Sequence, residues 1–298
     1  MRYFFIFIIT LFYILISLIY PSYFKDATYD VSNILIKVLI PSIVPMYVLS
    51  SILVNNYFFI KLSHKLFKPF NVFESINSPA IFLSSMLVGN PTTTILVLEK
   101  YKNNEITLSD TNIILSNSFI NPLFVINSFK LVGINISFAY LYIICNFLCN
   151  FIFLYFKPYK KFKETTIQNK YSFYDTINQI SPLLLNIFII TLLISYLKIP
   201  FTISNNLNLF ITIPLNFLEV STGFLNIANY NINFDLKIII LVILLSSTGL
   251  SIVIQTIYFI KQKAPDNIRY FIKSMIINRI KLILFNTILF TLFFKFFI

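Results

Sequence analysis

The sequence predicts an all-α polytopic membrane protein with about seven transmembrane helices and two re-entrant hairpins arranged as an inverted repeat. Three observations carry this prediction. Of the 298 residues, 57% are hydrophobic and only 11% are charged. Seven apolar stretches are long enough to cross a bilayer, and two more are interrupted by polar residues. Soluble domains contain about 25% charged residues, so the composition excludes an ordinary soluble globular enzyme.

The spans follow from length, because a transmembrane helix needs about 20 apolar residues. The seven candidates are 3–20, 36–54, 111–129, 133–156, 182–198, 236–260 and 278–298. We interpret the first as a retained anchor helix, because Pro21-Ser22-Tyr23 follows it instead of a small-residue cleavage site. The last carries Arg279 and Lys281 near its start, where long cationic side chains can snorkel to the headgroups.

The two interrupted stretches predict the re-entrant hairpins. Residues 79–98 are broken by Gly89-Asn90-Pro91, and residues 207–227 by Pro214, Asn216 and Glu219. If both hairpins enter and leave on one side and the N-terminus is cytoplasmic, most of the 23 lysines and arginines lie inside. The outer side then holds only Lys25, Lys37, Lys130, Lys198, Lys237 and Lys295. This positive-inside pattern explains the net charge of +12 better than nucleic-acid binding does, and it predicts a multi-pass protein of the cell membrane.

The same topology makes residues 36–129 and 182–260 mirror images, which is typical of transporters with broken helices at the bilayer midplane. We therefore divide the chain into five parts. They are an N-terminal anchor helix and outer loop (1–33), a first unit (34–130), a linking helix and basic cytoplasmic loop (131–176), a second, inverted unit (177–262) and a C-terminal transmembrane helix (263–298).

Polar residues beside the breaks form the candidate cavity. Main chain within hydrocarbon must satisfy its own hydrogen bonds, and a half-helix that starts there presents donors to a ligand. The candidate substrate-binding residues are Gly89, Asn90, Pro91, Thr92, Thr93, Asn117, Asn121, Pro122, Glu219, Thr222, Gly223, Thr248, Gly249, Ser251 and Gln255. Ser116, Ser118, Ser246 and Ser247 accompany them. The alternative is structural: threonine hydroxyls seal a kinked hairpin, and the polar side chains only join helices to one another.

Glu219 is the acidic residue that lies deepest in an apolar stretch. An ionisable group at membrane depth costs several kcal/mol unless it is paired or hydrated, so it is a candidate for a functional site. Its carboxylate could bind a substrate group or a coupling ion. Alternatively, it caps a half-helix that starts near Ser221.

The remaining features give no support to enzymatic chemistry. The sequence lacks the nucleotide-binding, metalloprotease and hydrolase motifs, and we predict no metal or cofactor. Cys145 and Cys149 are interpreted as buried small side chains. His64 lies in a basic loop and is expected in solvent or at the headgroups, and the basic segment 157–163 is expected to contact anionic lipid rather than nucleic acid.

Two series of residues resemble a known family. The first half contains Pro41-Ser-Ile-Val-Pro45, Leu87-Val-Gly-Asn-Pro91, Leu98-Glu99 and Asn121-Pro-Leu-Phe124, and the second contains Leu218-Glu-Val-Ser-Thr-Gly223 and Thr248-Gly-Leu-Ser-Ile-Val-Ile-Gln255. Over roughly 34–285 the chain resembles the YlbJ-type sporulation integral membrane proteins, which belong with the nucleoside-recognition Gate-domain proteins. The first-unit block departs from the family's G-Y-P-x-G-A-K, since here it is Gly89-Asn-Pro-Thr-Thr-Thr-Ile95. The resemblance implies a role in endospore formation, with transport suggested by the relatives of the domain.

We therefore expect a transporter or permease with a midplane polar cavity, needed for spore cortex formation. One alternative is a non-transporting scaffold that recruits sporulation membrane proteins through the 157–176 loop or through its helix faces. Another is a permease for nucleosides or other small solutes that is unrelated to sporulation. The expected partners are membrane lipid, a small polar solute or coupling ion, and sporulation membrane proteins, with no nucleic acid.

Overall fold

A computed structural model describes residues 2–117, 119–158, 160, 172–203 and 209–297. Ser118 and most of the basic loop, residues 159 and 161–171, lie outside the described residues. Within them the secondary structure is helical. The helices are α1 (Arg2–Ile19), α2 (Pro21–Ile34), α3 (Ile40–Val54), α4 (Tyr57–Phe67), α5 (Ser78–Val88), α6 (Thr92–Lys102), α7 (Leu108–Ser116), α8 (Pro122–Leu131), α9 (Ile136–Tyr155), α10 (Phe173–Thr202), α11 (Leu209–Asn216), α12 (Val220–Ala228), α13 (Phe234–Ser247), α14 (Gly249–Lys263) and α15 (Ile268–Phe297).

Five helical stretches of the described chain are long and apolar enough to cross a membrane. They are Pro21–Val54, Ile136–Tyr155, Phe173–Thr202, Phe234–Lys263 and Pro265–Lys295. Several faces of these helices expose apolar side chains, such as Leu284, Ile288 and Leu292 on α15. Such apolar surface is stable against lipid and unfavourable in water, so the chain is a multi-pass α-helical membrane protein.

Two of the predicted boundaries are wrong. The span predicted to begin at residue 36 begins at Pro21, because α2 continues through a π-helical turn at Leu35–Leu39 into α3. The predicted outer loop before residue 34 is therefore helix, and it packs on α10, where Thr28 Oγ1 lies 2.8 Å from the Tyr196 hydroxyl. The predicted span 111–129 is interrupted, because extended residues between α7 and α8 divide it into two short helices.

Helices α5 and α6 form a hairpin that opens at one end of the bundle. Its two ends meet there, because the Asn77 side-chain amide donates to the Glu105 carbonyl at 3.2 Å. The same end holds Asn55, bonded to Lys100, and Asn267, bonded to Tyr101. We call this the basic end, since the basic loops predicted to be cytoplasmic gather there. The structure thus has a helical hairpin in the stretch 79–98, where the sequence predicted one.

The carboxylate of Asp110, at the start of α7, holds the base of this hairpin. It is fully buried and accepts hydrogen bonds from the Glu74 and Ser75 amides and from the Ser78 hydroxyl, at 2.6–3.1 Å. Lys160 Nζ lies 3.7 Å from the same carboxylate and 3.8 Å from that of Glu74. The expectation that the basic segment contacts lipid is therefore wrong for Lys160, since its own chain offers the counter-charges.

Helices α11 and α12 form a second hairpin, which opens at the opposite end. Asn226 and Asn229, near the end of α12, line a cavity there together with Asp30, Lys37 and Leu131. The two hairpins thus enter the bundle from opposite ends.

The main core joins apolar side chains from both halves, including Phe82, Phe129, Phe224 and Phe290. Cys145 and Cys149 are buried free thiols, which agrees with their interpretation as small core residues. Arg279, in contrast, does not snorkel. Helix α15 starts ten residues before the predicted span, at Ile268, so Arg279 lies within the helix and is only 6% exposed.

We expect Asp110→Asn to lower the unfolding free energy by about 2–3 kcal/mol, because an amide cannot accept from all the donors that face this carboxylate. The unfolding temperature of the detergent-purified protein measures the loss. Asp235→Asn, at an exposed residue in the first turn of α13, is the control and is expected to change stability by a few tenths of a kcal/mol. Equal unfolding temperatures for the two variants would contradict the role of Asp110.

Candidate functional site

The tip of the first hairpin is bound to the interruption between α7 and α8. The Asn90 amide donates to the Phe119 carbonyl at 3.0 Å, and the Asn90 side chain donates to the Asn117 carbonyl at 3.3 Å. Gly89 has φ +69°, and a Cβ atom at this position would lie 2.3 Å from the Asn121 amide nitrogen. Glycine is therefore required by both the backbone conformation and the close approach of the two segments.

The tip of the second hairpin is bound to the interruption between α13 and α14. Thr248 adopts a left-handed conformation with φ +57°, which ends α13. The next residues pair with the tip, since the Leu250 amide donates to the Phe217 carbonyl at 3.3 Å and the Ser251 amide to the Leu218 carbonyl at 2.9 Å. Main-chain groups that the broken helices release are thus satisfied by the hairpin.

Glu219 ends this tip and caps α12. Its Oε1 accepts from the Ser221 amide at 3.0 Å, and its Oε2 accepts from the Thr222 amide at 2.6 Å and from the Thr222 hydroxyl at 2.8 Å. The carboxylate is therefore stabilised by the positive end of the helix dipole. The Lys198 ammonium donates to the Thr222 hydroxyl at 3.3 Å, so a hydrogen-bonded chain leads from Lys198 to Glu219.

Both tips and both interruptions line one cavity of about 40 Å³. The two halves of the chain contribute to it together. Its polar lining residues are Asn90, Thr92, Asn121, Thr191, Glu219, Ser221, Ser251 and Gln255, and its apolar ones include Leu39, Ile43, Val88, Ile120, Phe124, Ile187, Val220 and Ile252. A cavity of this volume holds a small ion or a few water molecules, whereas drug-sized ligands occupy pockets of about 300–1,000 Å³.

Seven of the fifteen predicted site residues line this cavity: Asn90, Pro91, Thr92, Asn121, Glu219, Ser251 and Gln255. The other eight lie outside its lining. Gly89, Thr93, Asn117 and Pro122 build the first tip and the interruption bound to it, and Gly223, Thr248 and Gly249 build the second pair. Thr222 lines a different cavity, the one at the end opposite the basic end, and its hydroxyl donates a hydrogen bond to Glu219.

The sequence prediction missed the contributions of α3 and α10. Ile187 and Thr191 reach the cavity from α10, and Leu39 and Ile43 from the π-helical turn and α3. Thr191 is one of three hydroxyl residues in the predicted span 182–198, with Ser195 and Tyr196, and nothing in the sequence separates it from a lipid-facing threonine. Only the packing of α10 against both hairpin tips assigns it to the cavity.

Two lining residues have polar atoms without a hydrogen-bond partner. They are the Thr92 hydroxyl at the start of α6 and the Gln255 carbonyl oxygen on α14. Buried polar atoms are nearly always paired with protein or ordered water. Together with the Glu219 carboxylate, these atoms offer one negative charge, an acceptor and a hydroxyl, which suit a small cation or a small polar solute.

No protein-family model, curated protein or solved structure matches this chain.

We expect Gly89→Ala to lower the unfolding temperature much more than Gly133→Ala. Both glycines have φ near +70°, so an alanine is strained by the backbone at either position. Only at Gly89 does the added Cβ also collide with main-chain atoms, whereas at Gly133 it meets nothing within 4 Å. Equal effects of the two substitutions would show that the tip is not held against the interruption at Asn121.

Proposed function

We propose that this protein is a transporter or permease that moves a small polar solute or ion through a midplane site by alternating access. The observation that carries the proposal is the convergence of two hairpin tips and two interrupted helices on one cavity that contains a buried carboxylate, Glu219. Secondary transporters place discontinuous helices around the substrate in this way.

We further propose that residues 34–130 and 177–262 form an inverted repeat within a bundle of about seven spans. Each unit is supported by the same contact, in which the hairpin tip pairs with the interruption that follows it, as Asn90 does with Phe119 and Leu218 with Ser251. The opposite directions of the two hairpins also support it. Alternating access then corresponds to one unit rocking against the other.

Polar cavities at both ends support a route through the molecule. At the basic end, Glu99, Glu105 and Gln179 help to line a polar cavity of about 80 Å³. Leu96 lines that cavity and Val88 lines the midplane cavity. Both belong to a small buried apolar cluster with Tyr47 and Ile180, which therefore separates the two cavities.

At the opposite end, polar side chains separate the midplane cavity from a second outer cavity. The cavity there has a volume of about 310 Å³ and is lined by Asp30, Lys37 and Asn226, among others. Thr222 lies on its wall and is hydrogen-bonded to Glu219, which lines the midplane cavity. We propose that the structure represents an occluded state, with an apolar seal on the basic side and the Thr222–Glu219 pair on the other.

The volume of the midplane cavity favours a small cargo. At about 40 Å³ it has room for an ion or a very small solute but not for a nucleoside. A nucleoside would therefore require an opening of this cavity that the occluded state does not have.

The resemblance to sporulation membrane proteins supplies the proposed biological setting. The more specific blocks of this resemblance contain Glu219 and Thr222 in the second hairpin and Ser251 and Gln255 in α14. Glu219, Ser251 and Gln255 line the midplane cavity, and Thr222 lines the neighbouring cavity at the opposite end. We propose on this basis a role in endospore formation at the cell membrane. For the scaffold alternative, the described part of the basic loop offers little support, because Lys160 is bonded to Ser109 of its own chain.

Glu219→Gln is expected to abolish ligand binding while leaving the amount of protein in the membrane unchanged. The test is a thermal-shift screen of detergent-purified protein against monovalent and divalent cations, amino acids and nucleosides. A compound at 100 times its Kd stabilises the wild type by about 2.7 kcal/mol. Asp26→Asn, at an exposed residue, is the control and should respond as the wild type does.

Because Glu219 also caps α12, a second variant separates binding from folding. Gln255→Leu removes an unpartnered buried oxygen, so its unfolding temperature without ligand should be unchanged or higher. Its ligand response should be lost. If Glu219→Gln and Gln255→Leu respond to the active compound as strongly as the wild type, the cavity is not the binding site.

The proposed topology has a separate test by cysteine labelling in a variant without Cys145 and Cys149. An impermeant reagent added to intact cells should label cysteines at 26 and 229, whereas those at 64 and 104 should react only after the membrane is opened. Reaction of 64 and 104 from opposite faces would mean that residues 79–98 cross the membrane, and the inverted repeat would have to be abandoned.

A further inference from the structure

Helix α15 carries a cation in the middle of its buried face. The stripe that faces the bundle contains Phe271, Met275, Leu282 and Phe290, each at most 2% exposed. Arg279 lies in this stripe, four residues after Met275 and three before Leu282, and is 6% exposed. Its position on the stripe follows from the helical period, which brings residues three and four apart to one face.

The guanidinium lies inside the protein and not at its surface, since all three of its nitrogens are buried. Arg279 lies eleven residues after Ile268, which corresponds to roughly 16 Å along the helix axis. Neighbouring helices cover the side chain, so it faces neither water nor lipid headgroups.

Contacts on both sides of Arg279 define its surroundings. Toward the start of α15, the Ser274 hydroxyl lies 2.7 Å from that of Ser116 on α7. Toward the end, the Asn286 amide donates to the Ser246 hydroxyl on α13 at 2.8 Å. Helix α9 also packs against α15, where Phe153 contacts Phe285 at 5.2 Å between ring centroids. Arg279 therefore lies between the ends of the two interrupted helices α7 and α13.

All three guanidinium nitrogens, Nε, Nη1 and Nη2, are buried and have no hydrogen-bond partner among the described residues. The ion pairs of the described residues involve Lys100 and Lys160 at the basic end. Glu219, the carboxylate at the midplane cavity, is occupied by the start of α12. A guanidinium stays protonated in proteins, and an uncompensated buried charge is strongly destabilising. Water molecules would accept hydrogen bonds from these N–H groups, but they would leave the positive charge without a counter-charge.

We propose that Arg279 anchors a buried site for a small inorganic anion, of the size of chloride, at the junction of α7, α9, α13 and α15. An arginine presents its N–H donors as a planar fork and keeps its charge, which suits an anion in a dry site. Because the protein itself covers the guanidinium nitrogens, a lipid headgroup does not reach them, and a small free anion is the ligand that fits. This site is separate from the midplane cavity, whose lining does not include Arg279, so it does not depend on the transport proposal.

The test measures the unfolding temperature of protein purified in sodium gluconate and titrated with sodium chloride at constant ionic strength. The wild type should show a saturable rise of several degrees, and bromide should reproduce it. Lys281→Met removes a charge from an exposed position of the same helix and should keep this response. Arg279→Met should lose the response and should be more stable than the wild type in gluconate, because no buried charge is left unpaired.

A crystal of the wild type soaked in bromide gives the second readout, which does not depend on the variant folding. An anomalous peak at the Arg279 guanidinium is expected. A linear salt response without saturation that Arg279→Met shares, or an unchanged wild-type unfolding temperature together with no bromide peak, would overturn the proposal. The latter pair of results would leave water as the partner of the guanidinium.

Discussion

The structure depends on one constraint, which is that main chain inside a bilayer must find its hydrogen bonds within the protein. In the described chain, two hairpin tips and two helix interruptions lie inside the bundle, and the helix ends at each of them release amides and carbonyls. The two hairpin tips supply the partners, as the Asn90 amide does for Phe119 and the Phe217 and Leu218 carbonyls do for α14. Gly89 lies where the first tip approaches the main chain of Asn121. Because the main-chain groups of each tip are hydrogen-bonded to those of its interruption, a substitution that moves one of the two segments also breaks the hydrogen bonds of the other.

This sealing of the main chain also creates the cavity. Two pairs of interrupted segments, one from each half, leave a small space between them that neither half encloses alone. The start of α12 then provides the amides that keep Glu219 in place. The same carboxylate caps α12 and lines the cavity, so the structural interpretation of Glu219 does not exclude the binding role that we propose for it.

The protein treats its buried charges in different ways. Asp110 and Glu219 each accept several hydrogen bonds from main-chain amides at the start of a helix or turn, so their charge is spread over fixed dipoles. Lys100 has a carboxylate partner, Glu105, at 2.7 Å. Among the described residues, Arg279 is the one of these four charges without a hydrogen-bond partner. The guanidinium of Arg279 is therefore the one of these four buried charges that the described residues do not compensate.

The sequence alone determined the class of the protein and the position of its breaks. Apolar length and polar interruptions are local properties, so the multi-pass helical class, the two helical hairpins and the breaks near Gly89, Pro122, Glu219 and Gly249 could be predicted from them. The tertiary structure decided what the sequence leaves open. Helix α2 extends past its polar residues because it packs on α10, and Arg279 is buried because α15 begins earlier than its apolar run. Thr191, Lys198 and Asp110 acquire their roles only from segments far away in the chain, since a pattern along one helix contains no information about which distant helix will face it.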